Sequence, residues 1–243
     1  MLKSKLHWPA YYEDPHTLHV GCEENRSYYI PYAPEEAADS SRLHLLNGDW
    51  DFRFYQTPFE IEDFTKPGYI YNNYDTIPVP SCIQNHGYDH HQYTNVNFPF
   101  PYDPPYVPSE NPTCVYHRNF IVEEDLKEYE QHLNFEGVDS CFYLYINQTF
   151  VGYSQVSHST SEFNITPYLK AGKNDITVVV LKWCDGSYLE DQDKFRMTGI
   201  FRDVYLLVRP KNHIRDYFVK THLNDNYSKS EVTIDFSFYG SEV

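Results

Sequence analysis

The 243 residues carry 19 basic against 35 acidic side chains, a formal net charge of −16. That balance excludes a nucleic-acid binder, which needs a basic face to neutralise phosphates, and it excludes an anionic membrane surface as partner. With 41% hydrophobic and 18% aromatic residues, among them 24 Tyr and 16 Phe against only 10 Gly, the chain reads as a strand-rich globular protein.

Residues 1–40 are polar and aromatic with little periodicity, which predicts an extended arm over the body. In the stretch Leu45–Phe54, Asn47-Gly48 marks a turn, and Trp50, Phe52 and Phe54 alternate with polar residues as in a half-buried strand. Pro58–Asp63 predicts a short helix or turn. Ile77-Pro78-Val79-Pro80 is too proline-rich for a central strand and belongs at an edge or in a loop. From there to Pro112 runs a long irregular stretch, which in a compact domain marks a functional or interfacial segment.

Strand signals then come quickly: Val115–Val122, Glu130–Phe135, Ser140–Ile146, a turn at Asn147-Gln148, Phe150–Gln155 and Glu162–Ile165. Thr166 and Pro167 open one helical turn as N-cap and first residue. Asn174–Trp183 is the strongest strand, and its unbroken apolar run Ile176–Leu181 predicts burial on both faces. Phe201–Val208 closes the set. Many short strands with almost no helix indicate an all-β sandwich or jelly roll. Arg209-Pro210-Lys211-Asn212 reads as a linker. The alternating stretches His213–His222 and Ser230–Phe238 then form a hairpin, too small to be stable alone, which reads as the opening of a second, immunoglobulin-like domain.

Five cysteines (Cys22, Cys82, Cys114, Cys141 and Cys184) are widely spaced without a C-x-x-C pair, so reduced thiols in a cytoplasmic protein are expected. Met1–His7 contains no apolar signal-peptide core and no apolar run reaches 18 residues. His86, His90 and His91 cluster, but their spacing matches no zinc pattern and suits a solvated loop. No P-loop, dinucleotide fingerprint or nucleophile elbow is present.

The most unusual stretch is Asp185-Gly186-Ser187-Tyr188-Leu189-Glu190-Asp191-Gln192-Asp193, with four carboxylates in nine residues followed by Arg196 and Arg202. A salt-bridged loop pinning two strands accounts for it as well as a polar rim that meets a sugar hydroxyl or a hard cation. Its spacing fails the EF-hand pattern, because Arg196 falls where the loop glycine should stand if the loop begins at Asp191.

This acidic stretch, with Arg196-Met197-Thr198-Gly199-Ile200-Phe201-Arg202-Asp203-Val204, closely resembles the signature of large bacterial β-galactosidases of glycoside hydrolase family 2. Leu46-Asn47-Gly48-Asp49-Trp50, Gly87-Tyr88-Asp89, Tyr93-Thr94-Asn95-Val96, Pro105–Thr113 and Phe135-Glu136-Gly137-Val138 carry the same resemblance, from about residue 43 to 208. It implies an arm at 1–40, a jelly-roll, sugar-binding-like domain at 41–210 and the start of an immunoglobulin-like domain at 211–243. The catalytic barrel, with its two glutamates and its magnesium site, is expected beyond Val243.

The parent enzyme would then hydrolyse β-galactosides such as lactose with retention, as a cytoplasmic homo-oligomer. This chain alone would be inactive, its partners being the substrate and the remaining domains. Asp193 matches the aspartate that meets the galactosyl 6-hydroxyl and a sodium ion, and Asn95 the asparagine at the mouth of that pocket. Cys114, Cys184 and Lys194-Phe195 depart from the pattern without touching either residue. A β-glucuronidase or β-mannosidase of the same family, a free-standing carbohydrate-binding module, and a purely structural domain at subunit contacts remain open. The other acids, Asp185, Glu190 and Asp191, are expected to position the loop through Arg196, Arg202 and backbone donors.

Overall fold

In the computed structural model, residues 6–240 are described except 37–38, 94, 96, 124–125, 127 and 191–192. The strands in chain order are β1 (His19–Val20), β2 (Leu43–Leu45), β3 (Gly48–Tyr55), β4 (Asp75–Val79), β5 (Gln92–Tyr93) and β6 (Thr113–Val122). There follow β7 (Tyr129–Phe135), β8 (Val138–Asp139), β9 (Cys141–Ile146), β10 (Thr149–Ser154), β11 (Ser161–Asn164) and β12 (Gly172–Leu181). The last are β13 (Phe195–Arg196), β14 (Gly199–Ile200), β15 (Val204–Pro210), β16 (His213–Leu223) and β17 (Ser230–Tyr239). Helix is confined, among the described residues, to short 3-10 turns.

Two antiparallel sheets form the jelly-roll sandwich expected from the strand pattern. The larger runs β1-β10-β9-β12-β6-β3-β4 and the smaller β11-β7-β15-β2. Alternate residues of central strand β12 face opposite sides. Ile176, Val178 and Val180 pack with Phe52, Phe135, Phe163 and Leu206 between the sheets. Val179 and Leu181 point outward, where Leu6, Tyr12, Ile61 and Phe64 cover them. The unbroken apolar run therefore has a physical cause: the N-terminal segment and the stretch after β3 roof the outer face of the sheet. Trp8 lies 4.4 Å from the Tyr143 ring, whose hydroxyl donates to the Pro9 carbonyl at 2.7 Å.

Pro78 sits in β4 at the sheet edge, where a missing N–H breaks no ladder. Asn147 and Gln148 turn between β9 and β10 with φ of 49° and 64°, as a tight hairpin requires.

Three expectations change. Asn47-Gly48 does not join paired strands; it carries the chain from the smaller sheet into the larger. Gly48 takes φ 109°, while Asn47 receives the Val204 N–H at 3.0 Å and donates to Asp203 at 2.8 Å, clamping the crossover. Thr166 is the first residue of its turn, not its cap; Asn164 accepts from its N–H, and its own hydroxyl oxygen accepts from the Gln131 N–H at 2.8 Å. Arg209 and Pro210 belong to β15, paired with Glu130 and Tyr129, and Arg209 is buried, so no linker begins before Lys211.

β16 and β17 pair only with each other. The segment at Ser27 holds them to the body: its N–H donates to Asp216 at 2.7 Å and its hydroxyl to the Tyr217 carbonyl at 2.8 Å.

Candidate functional site

A tyrosine and an aspartate 100 positions apart meet because two loops form a ribbon. β5 pairs antiparallel with β13, Tyr93 opposite Phe195 and Gln92 opposite Arg196. Asn95 follows Tyr93 by two residues in the chain, and Asp193 precedes Phe195 by two. The Tyr93 hydroxyl donates to an Asp193 carboxylate oxygen, which also raises the Tyr93 phenol pKa. Asp193 and Asn95 are both exposed.

The base of the ribbon is held by an exposed ring cluster and two buried cations. Phe195 packs between Tyr93 and His91, with ring centroids at 5.6 and 4.9 Å. Arg196, 2% exposed, donates through Nη2 to the Ser187 carbonyl at 3.0 Å. Lys182 emerges just after β12, is itself buried, and forms an ion pair with the Asp89 carboxylate. Its ammonium also donates to the His90 carbonyl at 3.0 Å. Since His90 lies two residues before β5, this buried cation fixes where the ribbon starts.

The remaining acids separate in role. Glu190 accepts from the Ser157 N–H and hydroxyl, both at 3.3 Å, and burial raises its pKa. Asp185 accepts from the Gly186 N–H at 2.8 Å, and burial raises its pKa too. Asp191 lies outside the described residues. Arg202 donates to the carbonyls of Glu136 and His158. Of the expected braces, backbone donors hold Glu190 and Asp185, joined by the Ser157 hydroxyl. Lys194 approaches Asp139 at 3.8 Å and borders a cleft of about 500 Å³ that Glu190 and His158 also line.

Among the described residues, no group of three His, Cys, Asp or Glu side chains is set to hold a metal ion. His90 approaches Asp89 at 3.4 Å, while His91 packs on Phe195. This chain's contribution to a hard cation at the site would be the carboxylate of Asp193. All five cysteines are free thiols.

Chemically, an exposed carboxylate and an exposed amide both suit binding and orientation. The carboxylate accepts from a hydroxyl in a charge-assisted bond, and the amide both donates and accepts. Sequence reasoning singled out Asp193 and Asn95 but missed Tyr93 and Lys182. The signal for Tyr93 is its two-residue offset from Asn95; for Lys182 it is a lone cation ending an apolar run.

Comparisons with known proteins bear on the same segments. The family model described as "Glycosyl hydrolases family 2, sugar binding domain" matches residues 43–210. A curated β-galactosidase of Actinobacillus pleuropneumoniae is 51% identical over 237 residues, covering 95% of this chain and 23% of the relative. One of Staphylococcus xylosus is 42% identical over 241 residues, covering 96% of this chain and 23% of the relative. The chain therefore spans about a quarter of the length of these relatives. Among solved structures, a Bifidobacterium dentium β-glucuronidase superimposes with a TM-score of 0.63 at 17% identity, covering 89% of this chain and 38% of that one. A β-glycosidase from Bacteroides vulgatus gives 0.61 at 21% identity, covering 82% and 24%. At such identities the likeness is one of fold.

Proposed function

We propose, on the premise that this chain belongs to glycosyl hydrolase family 2 through its sugar binding domain, that it is the N-terminal portion of a β-galactosidase. The parent enzyme would hydrolyse terminal β-D-galactosides such as lactose with retention, which needs a pair of carboxyl groups about 5–5.5 Å apart. In this reading that pair, and the magnesium expected with it, lie in domains outside this chain. Residues 1–40 are its arm, 41–210 its sugar-binding-like sandwich and 211–243 the start of the next domain. The chain alone is inactive.

The observation that carries the reading is the ribbon. Tyr93 and Phe195 pair within it, the Tyr93 hydroxyl reaches the exposed Asp193 carboxylate, and Asn95 is exposed two residues beyond Tyr93, which supports a role for both in meeting a sugar hydroxyl and a sodium ion. The two relatives at 51% and 42% identity, both β-galactosidases, support the substrate class. So does charge: the anionic Asp193 attracts a galactosyl 6-hydroxyl and repels the carboxylate that a glucuronide carries in its place. The five free thiols and the net charge of −16 support a cytoplasmic enzyme with no nucleic-acid or membrane partner, and we place it in a homo-oligomer.

The test is reconstitution. Mixing this chain with the separately expressed remainder of the protein is expected to restore cleavage of a chromogenic β-galactoside, and Asp193→Ala to weaken the recovery by about tenfold or more. Equal recovery with the wild-type and Asp193→Ala chains would sink the assignment.

A further inference from the structure

We propose that Cys141 and Cys184 are a latent disulfide: a dithiol sealed beneath the N-terminal segment, which peroxide oxidises once that segment lifts. The inference stands on the packing around the two sulfurs and does not rest on the role of Asp193.

The larger sheet brings the two residues together. Cys141 opens β9 opposite Leu181, the last residue of β12, and Cys184 follows Leu181 by three. The two segments stay side by side past the end of the ladder. The Ser140 N–H donates to the Leu181 carbonyl at 3.1 Å and the Ser140 hydroxyl to the Lys182 carbonyl at 2.7 Å. A reciprocal cap fixes the Cys184 end: the Ser187 N–H donates to the Cys184 sulfur, and the Cys184 N–H donates to the Ser187 hydroxyl oxygen at 3.1 Å. The two thiols hydrogen-bond to each other, and the Tyr153 hydroxyl also hydrogen-bonds to Cys141. Either thiol alone would be an ordinary small core side chain. Together they are a dithiol whose partners are already in contact.

Both sulfurs are closed off from solvent, Cys141 being 0% and Cys184 1% exposed. They share the outer-face core with Tyr12, Tyr143 and Tyr153. The roof is the N-terminal segment. Trp8 lies on Tyr143 at 4.4 Å, the Tyr11 ring stands 5.5 Å from that of Tyr153, and Tyr12 is near enough to Cys141 to feel its charge. Yet His7, Pro9 and Ala10 are exposed and Trp8 is only half-buried. A terminal segment held in this way opens at lower cost than the sheet beneath it.

The chemistry follows from access. A thiol reacts as its thiolate, and the hydrogen bond to Cys141 together with burial pushes the Cys184 thiol well up, so the closed structure keeps it protonated and inert. With the segment lifted, the thiolate of one cysteine attacks a peroxide oxygen, giving a sulfenic acid and a hydroxide that takes up a proton as water. The second thiol then attacks the sulfenic sulfur, the S–S bond forms, and a second water leaves. The dithiol gives up two hydrogens and two electrons, and hydrogen peroxide accepts them. The bond ties β9 to the segment that carries Ser187, whose carbonyl holds Arg196 at the base of the ribbon.

The experiment treats the 243-residue chain with hydrogen peroxide at neutral pH, quenches by alkylation, and reads intact mass and a non-reducing peptide map. The expected product has lost two hydrogens, joins the peptides of Cys141 and Cys184, and is reversed by dithiothreitol, although Cys22 and Cys82 are the less buried thiols. Cys184→Ser should abolish it. Trp8→Ala, which loosens the roof, should speed linking about tenfold or more, as should urea well below the unfolding midpoint. Linking through other cysteines, addition of oxygen at Cys141 or Cys184 without linking, or a rate unmoved by both Trp8→Ala and low urea would each overturn the proposal. Should Trp8→Ala fail to fold, the urea series on the unaltered chain decides.

Discussion

Glu162 accepts both arms of the Arg26 guanidinium, Nε at one carboxylate oxygen and Nη2 at the other, each at 3.0 Å. Arg215 of β16 donates to the same carboxylate at 2.8 Å, and Arg209 of β15 stands 3.6 Å away. One carboxylate, 5% exposed, thus joins the N-terminal segment, the sandwich and the terminal hairpin. Burial alone would raise its pKa; Arg26, then Arg209 and Arg215, reverse that and bring it down to about 2.

Replacing Glu162 with Gln removes the charge and leaves buried arginines without their partner. Breaking a buried pair from one side costs ~3–5 kcal/mol, so a clear drop in the urea midpoint is expected. Protease cutting between residues 209 and 216 should rise in the same variant. A change below 1 kcal/mol would mean that the cluster is held by other contacts.

The acid limb of stability follows from two groups. His132, with its ring against Glu162 and Glu130, is pushed by burial from 6.5 to about 3. The unfolded chain therefore takes up a proton below pH 6.5 that the folded chain refuses until about pH 3, and stability falls through that window. Glu162, depressed from 4.5 to about 2, adds a loss that begins near pH 4.5 and ends near 2. Melting temperature against pH should decline from about 6.5 downward, and Glu162→Gln should flatten only the part below about 4.5.

Lys182→Met leaves the buried Asp89 carboxylate without its cation, at a cost of ~3–5 kcal/mol. The double change Lys182→Met with Asp89→Leu should recover much of that loss. Because Lys182 also holds the His90 carbonyl ahead of β5, the single variant should lose reconstituted activity more steeply than global stability, as seen by comparing assay and denaturation.

A methyl group at Gly152 has no room, since it would run into the Val20 carbonyl and stand 2.7 Å from the Phe163 ring. Gly152→Ala should therefore push β1 off the sheet edge and destabilise the fold by ~1–3 kcal/mol. Thermal unfolding, with limited proteolysis around residues 15–20, reads both effects.

In the reconstituted enzyme, Asp193→Ala should lower kcat/KM by ~10- to 150-fold, the ~1.5–3 kcal/mol of a hydrogen bond to a charged group. Tyr93→Phe should cost less, because the carboxylate remains and only its orientation is released. A larger loss with Tyr93→Phe than with Asp193→Ala would reverse the roles given to these two side chains.

Much of the sandwich was legible because its signals are local. Alternation marked β3, the apolar run of β12 announced burial on both sides, and Pro78 announced an edge. What could not be read are the pairings that link distant segments. Nothing local distinguishes Asn47-Gly48 as a passage between sheets from a hairpin turn, since the outcome depends on Val204 and Asp203 far along the chain. Arg209 looked like the start of a linker because a charged residue beside proline usually is one; its burial depends on Glu162. Asp193 and Asn95 were singled out through a resemblance, whereas the Tyr93 hydroxyl bonded to Asp193 becomes visible only once the pairing of the two loops is known.

That register also decides which changes the protein can absorb. Side chains on a strand alternate sides, so a single residue inserted between Tyr93 and Asn95, or removed between Asp193 and Phe195, would turn the following group to the opposite side of the ribbon. Exchanging one residue type for another there leaves the alignment intact. Engineered variants are therefore expected to tolerate substitutions at positions of this ribbon other than Asp193 and Asn95 better than changes of length, and a graft of either loop into another scaffold must carry both strands together.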